Sequence, residues 1–198
     1  MRQRHPPATE YERRGYLVLH DLLDGELLSA VRRETTAICS GDRGAIDGAA
    51  TTMCTGDDAL CEVLCVHFPH KISPIIRDLA TLPPVVDALT SVIGPNVKMM
   101  ESMLFVKAPG KRGQAWHQDE SHIPTRDGSL TAVWIALDDA TVDNGCLWAL
   151  PGSHGAGVLH PVRDHADPRF DPTPEAHGFG AVDGAIPLEL PAGDAVVF

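Results

Sequence analysis

Apolar residues recur at helical spacing in the first half of the chain and at alternating spacing in the second. Leu27, Leu28, Val31 and Ile38 fall on one face of a helix that Asp24 can cap, and Leu23 with Leu28 has the spacing of a hydrophobic staple. Ser73-Pro74 repeats the start signal ahead of Ile75, Ile76 and Leu79. Pro83-Pro84 opens a third stretch, with Val85, Val86, Leu89, Val92 and Ile93 on one stripe, and Gly94-Pro95 ends it. Between the first helix and the others, Ser40 to Asp58 is rich in Gly, Asp and Thr and reads as a surface loop or flap.

After Gly94 the period shortens. Val97 to Lys107, Ala115 to Glu120 and Leu130 to Leu137 are expected strands, rich in apolar and β-branched residues. Asp143-Asn144-Gly145 is a turn signal before Cys146 to Leu150. Val158 to His160, Ala185 to Leu190 and Asp194 to Phe198 complete the set, separated by Pro- and Gly-rich loops. Short strands at these intervals point to a jelly roll or barrel.

The chain has 198 residues with 16 Lys+Arg against 27 Asp+Glu, a formal net charge of −11. That balance argues against broad neutralisation of nucleic-acid phosphates and against attraction to anionic membranes. No apolar run reaches the ~20 residues that cross a bilayer, and the start lacks the apolar stretch of a secretory signal. The five cysteines, Cys39, Cys54, Cys61, Cys65 and Cys146, are odd in number and follow no paired framework, so reduced thiols in a cytoplasm are expected. Cys61 and Cys65 lack a second pair to complete a zinc site and read as two packed helical cysteines.

The sharpest chemical signal is Trp116-His117-Gln118-Asp119. On a strand, side chains two residues apart share a face, so His117 and Asp119 can offer an imidazole nitrogen and a carboxylate oxygen to one ion. One imidazole and one carboxylate are part of the two-His-one-carboxylate set that holds non-haem iron(II) and leaves adjacent positions open. The spacing alone is equally that of a solvated, hydrogen-bonded histidine.

Several ordered blocks surround it. Met103-Leu-Phe-Val-Lys107, Trp116-His-Gln-Asp119, Trp134-Ile-Ala-Leu-Asp138 and Asn144-Gly-Cys-Leu-Trp148 followed by Pro151-Gly-Ser-His154 together resemble the phytanoyl-CoA dioxygenase family of iron(II)- and 2-oxoglutarate-dependent oxygenases. The resemblance runs from about Tyr11 to the end and is densest from Gly94 to His154. It implies an α+β fold with a mainly β core: a double-stranded β-helix, jelly-roll or cupin-like, with N-terminal helices packed against it. Residues 1–94 would be the mostly helical part and 95–198 the β-helix core of a single domain. It implies that His117 and Asp119 are the iron ligands and catalytic residues. Met103 and Trp134 match positions lining the 2-oxoglutarate pocket, with core packing as the alternative for each. Gln118 is expected to orient neighbours, Asn144-Gly145 to form a turn, and His154 to anchor a loop. The implied cofactors are Fe(II) and 2-oxoglutarate, and the implied partners are O2 and a small organic substrate.

The pattern is also incomplete. The family places a second His ligand, and then an Arg for the distal carboxylate of 2-oxoglutarate, beyond the strand that here ends at Ala195-Val-Val-Phe198. That strand stops at its most hydrophobic point, so the domain is expected to lack its C-terminal strands and the chain to be impaired in turnover. His160, His165 and His177 are the candidate replacement ligands, and Lys71, Arg126 and Arg163 the candidate carboxylate partners. Glu120, His122, Arg126 and Asp127 follow the metal segment and are expected at the pocket rim. Two other readings stand beside the oxygenase: a non-catalytic binding module, and a cupin-type hydrolase or isomerase using the ion as a Lewis acid.

Overall fold

Local signals set the helices. The computed structural model describes residues 7–45, 60, 63–157, 159–180 and 182–198. Its elements are α1 (Pro7–Arg14), β1 (Leu17–Leu19), α2 (Gly25–Cys39), β2 (Cys65–His67), α3 (Pro74–Leu79), α4 (Pro83–Ile93), β3 (Met103–Phe105), β4 (Val133–Ile135), β5 (Leu147–Ala149), β6 (Val162–Arg163), β7 (Glu175–Ala176), β8 (Ile186–Leu188) and β9 (Ala195–Val197). Asp24 caps α2 by accepting the Leu27 backbone N–H at 2.8 Å, and Ser73 caps α3 by accepting that of Ile76 at 3.3 Å. Pro83 opens α4 and Gly94, at φ 92°, ends it.

Three antiparallel strands in the order β1-β9-β4 form the central sheet. Alternation along each strand divides its side chains between two faces. Ala195 and Val197 of β9, with Leu17, Leu19, Val133 and Ile135, face α2 and α4 and pack on Val31, Val85 and Ala88. Val196 of β9, with Val18, Trp134 and Ala136, faces the β5–β8 ribbon and packs with Tyr16, Leu147, Leu188 and Leu190. Helices, sheet and ribbon thus make three layers, and β9 lies at the centre with all three residues fully buried. The β2–β3 ribbon covers the far end of α2, where Val66 and Leu104 pack on Ile38 and Cys39.

Two side-chain joints tie the layers. Glu34 of α2 is buried and receives both Arg43 Nε and Nη2, at 2.9 and 2.7 Å, and a bond from the buried Ser73 that caps α3. The Arg43 bonds outweigh burial and hold the Glu34 carboxyl below its usual range. At the entry to β9, the buried Asp194 carboxylate accepts the Asp21 backbone N–H at 2.9 Å and meets His20 Nδ1 at 2.7 Å. Gly193 precedes it at φ 97°, where a Cβ would sit 2.7 Å from the Leu23 carbonyl oxygen, so this corner requires glycine.

Several expectations need correction. The mostly helical N-terminal part also supplies two strands that were not expected: β1 completes the central sheet, and β2 places Cys65, expected on a helix, opposite Phe105. Cys54, Cys61 and most of the expected flap lie outside the described residues. Of Val97 to Lys107 only Met103–Phe105 pairs, and no strand includes Leu159 or His160. Ala115 to Glu120 forms no strand either, because its backbone meets neighbours only at isolated points, such as the Ala176 N–H donated to the Trp116 carbonyl.

A candidate metal centre

The segment expected to display His117 and Asp119 by strand alternation does so by another route. Gln118 is extended, at φ −118° and ψ 125°, and the chain then turns into a single 3-10 turn over Asp119–Ser121. Ser121 Oγ donates to the Gln118 carbonyl at 2.6 Å, and the backbone N–H of His122 to that of Asp119 at 2.9 Å. The two side chains still converge, with His117 Nε2 3.3 Å from Asp119 Oδ1.

A backbone carbonyl sets the imidazole tautomer. His117 Nδ1 lies 2.8 Å from the Ala115 carbonyl oxygen, which can only accept, so Nδ1 carries a proton and Nε2 is the atom presented to Asp119. The hydrogen bond to Asp119 is the largest influence raising the His117 pKa. Burial pulls it down, while the Ala115 carbonyl and the charges of Asp119 and Asp171 support the rise. An imidazole nitrogen and a carboxylate oxygen that face each other need a proton or a cation between them, and a ferrous ion suits both donors. Both side chains remain partly open to solvent, at 25% for His117 and 36% for Asp119, so the position can be reached. Among the described residues no group of three or more His, Cys, Asp or Glu side chains is gathered around one point.

The other candidates divide. His160 stacks edge-on against Phe179 at 5.5 Å, and His165 Nε2 donates to the Thr173 carbonyl at 3.0 Å. The His177 backbone N–H bonds the Pro161 carbonyl. Arg163 pairs with Glu175 at 3.1 Å and Arg126 is exposed. Lys71 Nζ sits 4.0 Å from the centroid of the Phe68 ring. Gln118 Oε1 accepts the His160 backbone N–H at 2.7 Å, which ties the loop after Leu159 to the segment bearing His117. His122 stands edge-on to His117 with ring centroids 5.9 Å apart. Asn144 forms a turn, accepting the Thr141 N–H at 2.8 Å before Gly145 at φ 92°. His154 anchors its loop, with Nε2 3.1 Å from the Glu12 carbonyl oxygen and its ring edge-on to Tyr11.

Met103 and Trp134 fall in different sheets. Trp134 packs into the interior between the central sheet and the β5–β8 ribbon, whereas Met103 is 40% exposed on β3, paired with His67. Sequence reasoning missed the carbonyl of Ala115, for which a backbone atom leaves no signal. It also missed Asp171, whose charge reaches His117 only because the chain folds back: Gly113 and Asp171 are joined by a 2.8 Å backbone bond.

The fold has solved counterparts. The chain superposes on EctD from S. alaskensis crystallised with 2-oxoglutarate and 5-hydroxyectoine, with a TM-score of 0.71 at 22% identity, covering 100% of this chain and 70% of that one. The iron-bound form of EctD gives 0.69 at 21% identity, with coverage again 100% and 70%. This likeness shows a double-stranded β-helix. The model of the phytanoyl-CoA dioxygenase family matches residues 11–198, and the chain belongs to that family. Phytanoyl-CoA dioxygenase 1 of Oryza sativa subsp. japonica is 36% identical over 136 residues, 66% of this chain and 46% of the relative. A probable phytanoyl-CoA dioxygenase of Caenorhabditis elegans is 28% identical over 210 residues, 95% of this chain and 65% of the relative. The match with the rice protein thus spans about half of that relative's length.

Proposed function

We propose that this chain carries part of the centre of an iron(II)- and 2-oxoglutarate-dependent oxygenase acting on a small organic substrate. The observation that carries the proposal is the convergence of His117 Nε2 and Asp119 Oδ1 with the opposite ring nitrogen fixed by the Ala115 carbonyl. Orientation of a ligating imidazole through its second nitrogen is the arrangement metal sites use. When bound, iron(II) with 2-oxoglutarate supplies oxidative chemistry, with O2 consumed, succinate and carbon dioxide released and a substrate carbon oxidised.

The residues have separate tasks in this reading. His117 and Asp119 hold the metal, and Asp119 adds the negative charge that favours a divalent cation. Trp134 offers an indole face and Met103 a thioether to the methylene chain of the co-substrate. Among the described residues, His117 and Asp119 supply one imidazole and the carboxylate of the two-His-one-carboxylate set. The cytoplasm is the proposed compartment, since the five cysteines are odd in number and follow no paired framework.

Anaerobic Fe(II) titration of the wild type, His117→Ala and Asp119→Ala, followed by succinate release on admission of O2, tests the reading. Each substitution is expected to weaken binding. Unchanged affinity in both removes the ligand assignment, and metal-dependent turnover of a substrate without 2-oxoglutarate favours the hydrolase or isomerase instead.

A further inference from the structure

Glu120 is not free to line a pocket, because both oxygens of its carboxylate are engaged. Oε1 accepts the Thr125 backbone N–H and the Thr125 hydroxyl, the latter at 2.7 Å, and Oε2 accepts the Leu130 backbone N–H at 3.0 Å. Thr125 Oγ1 in turn accepts the Ser129 backbone N–H at 3.0 Å. One carboxylate therefore joins chain positions 120, 125 and 130 and closes the loop between them at its neck. No residue from Glu120 to Leu130 is buried, so these polar bonds, rather than apolar packing, hold the loop.

The loop grows directly out of Asp119. The backbone N–H groups of His122 and Ile123 both bond the Asp119 carbonyl at 2.9 Å, and that of Ser121 bonds Gln118 at 3.0 Å. With no strand ladder at this position, the direction of the Asp119 side chain depends on this turn, and the turn is continuous with the loop that Glu120 closes. The same loop holds the His122 ring edge-on to His117.

We propose that Glu120 is a positioning residue: by closing the 120–130 loop it aims the Asp119 carboxylate at the metal position beside His117. The inference rests on the reading of His117 and Asp119 as metal ligands. Its test is anaerobic titration with Co(II) alone, followed by the visible absorption of the bound ion, with thermal unfolding measured in parallel. Glu120→Ala is expected to weaken Co(II) binding by roughly 10–100-fold, the range for loss of a group that orients a ligand, and to alter the absorption bands. Glu120→Gln keeps an acceptor for Thr125 but turns an amide N–H towards the Leu130 N–H, and should fall between wild type and Glu120→Ala. Thr125→Val removes one donor and should have the smallest effect. Wild-type affinity and spectrum in Glu120→Ala would overturn the proposal. If that variant does not fold, wild-type affinity and spectrum in both Glu120→Gln and Thr125→Val would do so. His117→Ala and Asp119→Ala separate the two failures: if they too bind Co(II) normally, the ligand assignment falls, and if they alone lose it, only the role of Glu120 falls.

Discussion

The helix-backed sheet and the loops around His117 are held by different forces. In the sheet, β9 is paired on both edges, covered by helices on one face and by a ribbon on the other, and none of its residues meets water. In the loops, Ala115 is the one buried residue between Gly113 and Leu130, and none is buried from Leu159 to Glu175. There the chain is kept in place by hydrogen bonds, among them Trp116 to Ala176, Gln118 to His160, Glu120 to Thr125 and Leu130, and the short β6–β7 ladder. Apolar burial supplies most of the stability of the molecule, while directional polar bonds set the geometry of the candidate site. The two regions should therefore respond to mutation in different observables.

The largest effect is expected in the layered region. Ile38→Ala empties a fully buried position between α2 and the β2–β3 ribbon and should cost about 2–5 kcal/mol in denaturant unfolding. Gly193→Ala imposes a side chain on a left-handed backbone and against the Leu23 carbonyl, and a loss of at least about 1–2 kcal/mol is expected in the same assay. A loss within error at Gly193 would show that the β9 corner yields more readily than the comparison requires.

Acid should weaken the Glu34 joint of the layered region. The folded Glu34 carboxyl lies below its unfolded value, so its contribution to stability is fully present above the ordinary glutamate pKa of about 4.3 and is lost as pH falls through the lower, folded value. Stability of the wild type should consequently fall more steeply with acid in that window than stability of Glu34→Gln. Parallel curves would break the assignment. The smallest change in stability is expected from Gln118→Ala, within about 0.5 kcal/mol, because the loops contribute little buried surface. Trypsin should nevertheless cut the variant sooner at Arg163 or Arg169, once the His160 bond is gone; unchanged cleavage would show that the Gln118 bond does not restrain the loop.

Legibility in the sequence followed the range of the interactions involved. Asp24, Ser73, Pro83 and Gly94 mark helix ends through bonds to residues a few positions away, so α2, α3 and α4 were readable. The cores of β4, β5, β8 and β9 were readable from alternation. β1 was not, because three apolar residues become a strand only by pairing with Val197, Val196 and Ala195 at the other end of the chain. The segment Ala115 to Glu120 read as a strand and is not one: alternation states which side chains a strand would sort, not whether a neighbour is present to form the ladder. His117 and Asp119 were nominated by type and spacing. The reason they face each other, a turn at Asp119 within a loop closed by Glu120, was hidden.

The sequence by itself determined the capped helices, the alternating strands, the family resemblance and the pair of residues proposed as metal ligands, because each is written in short-range pattern or residue type. Tertiary structure alone decided that β9 becomes the central strand, that the Ala115 carbonyl sets the His117 tautomer, and that Asp171 lies within electrostatic reach of it. Those features depend on contacts between segments distant along the chain and on backbone atoms that every residue shares, and neither leaves a mark on the order of amino acids.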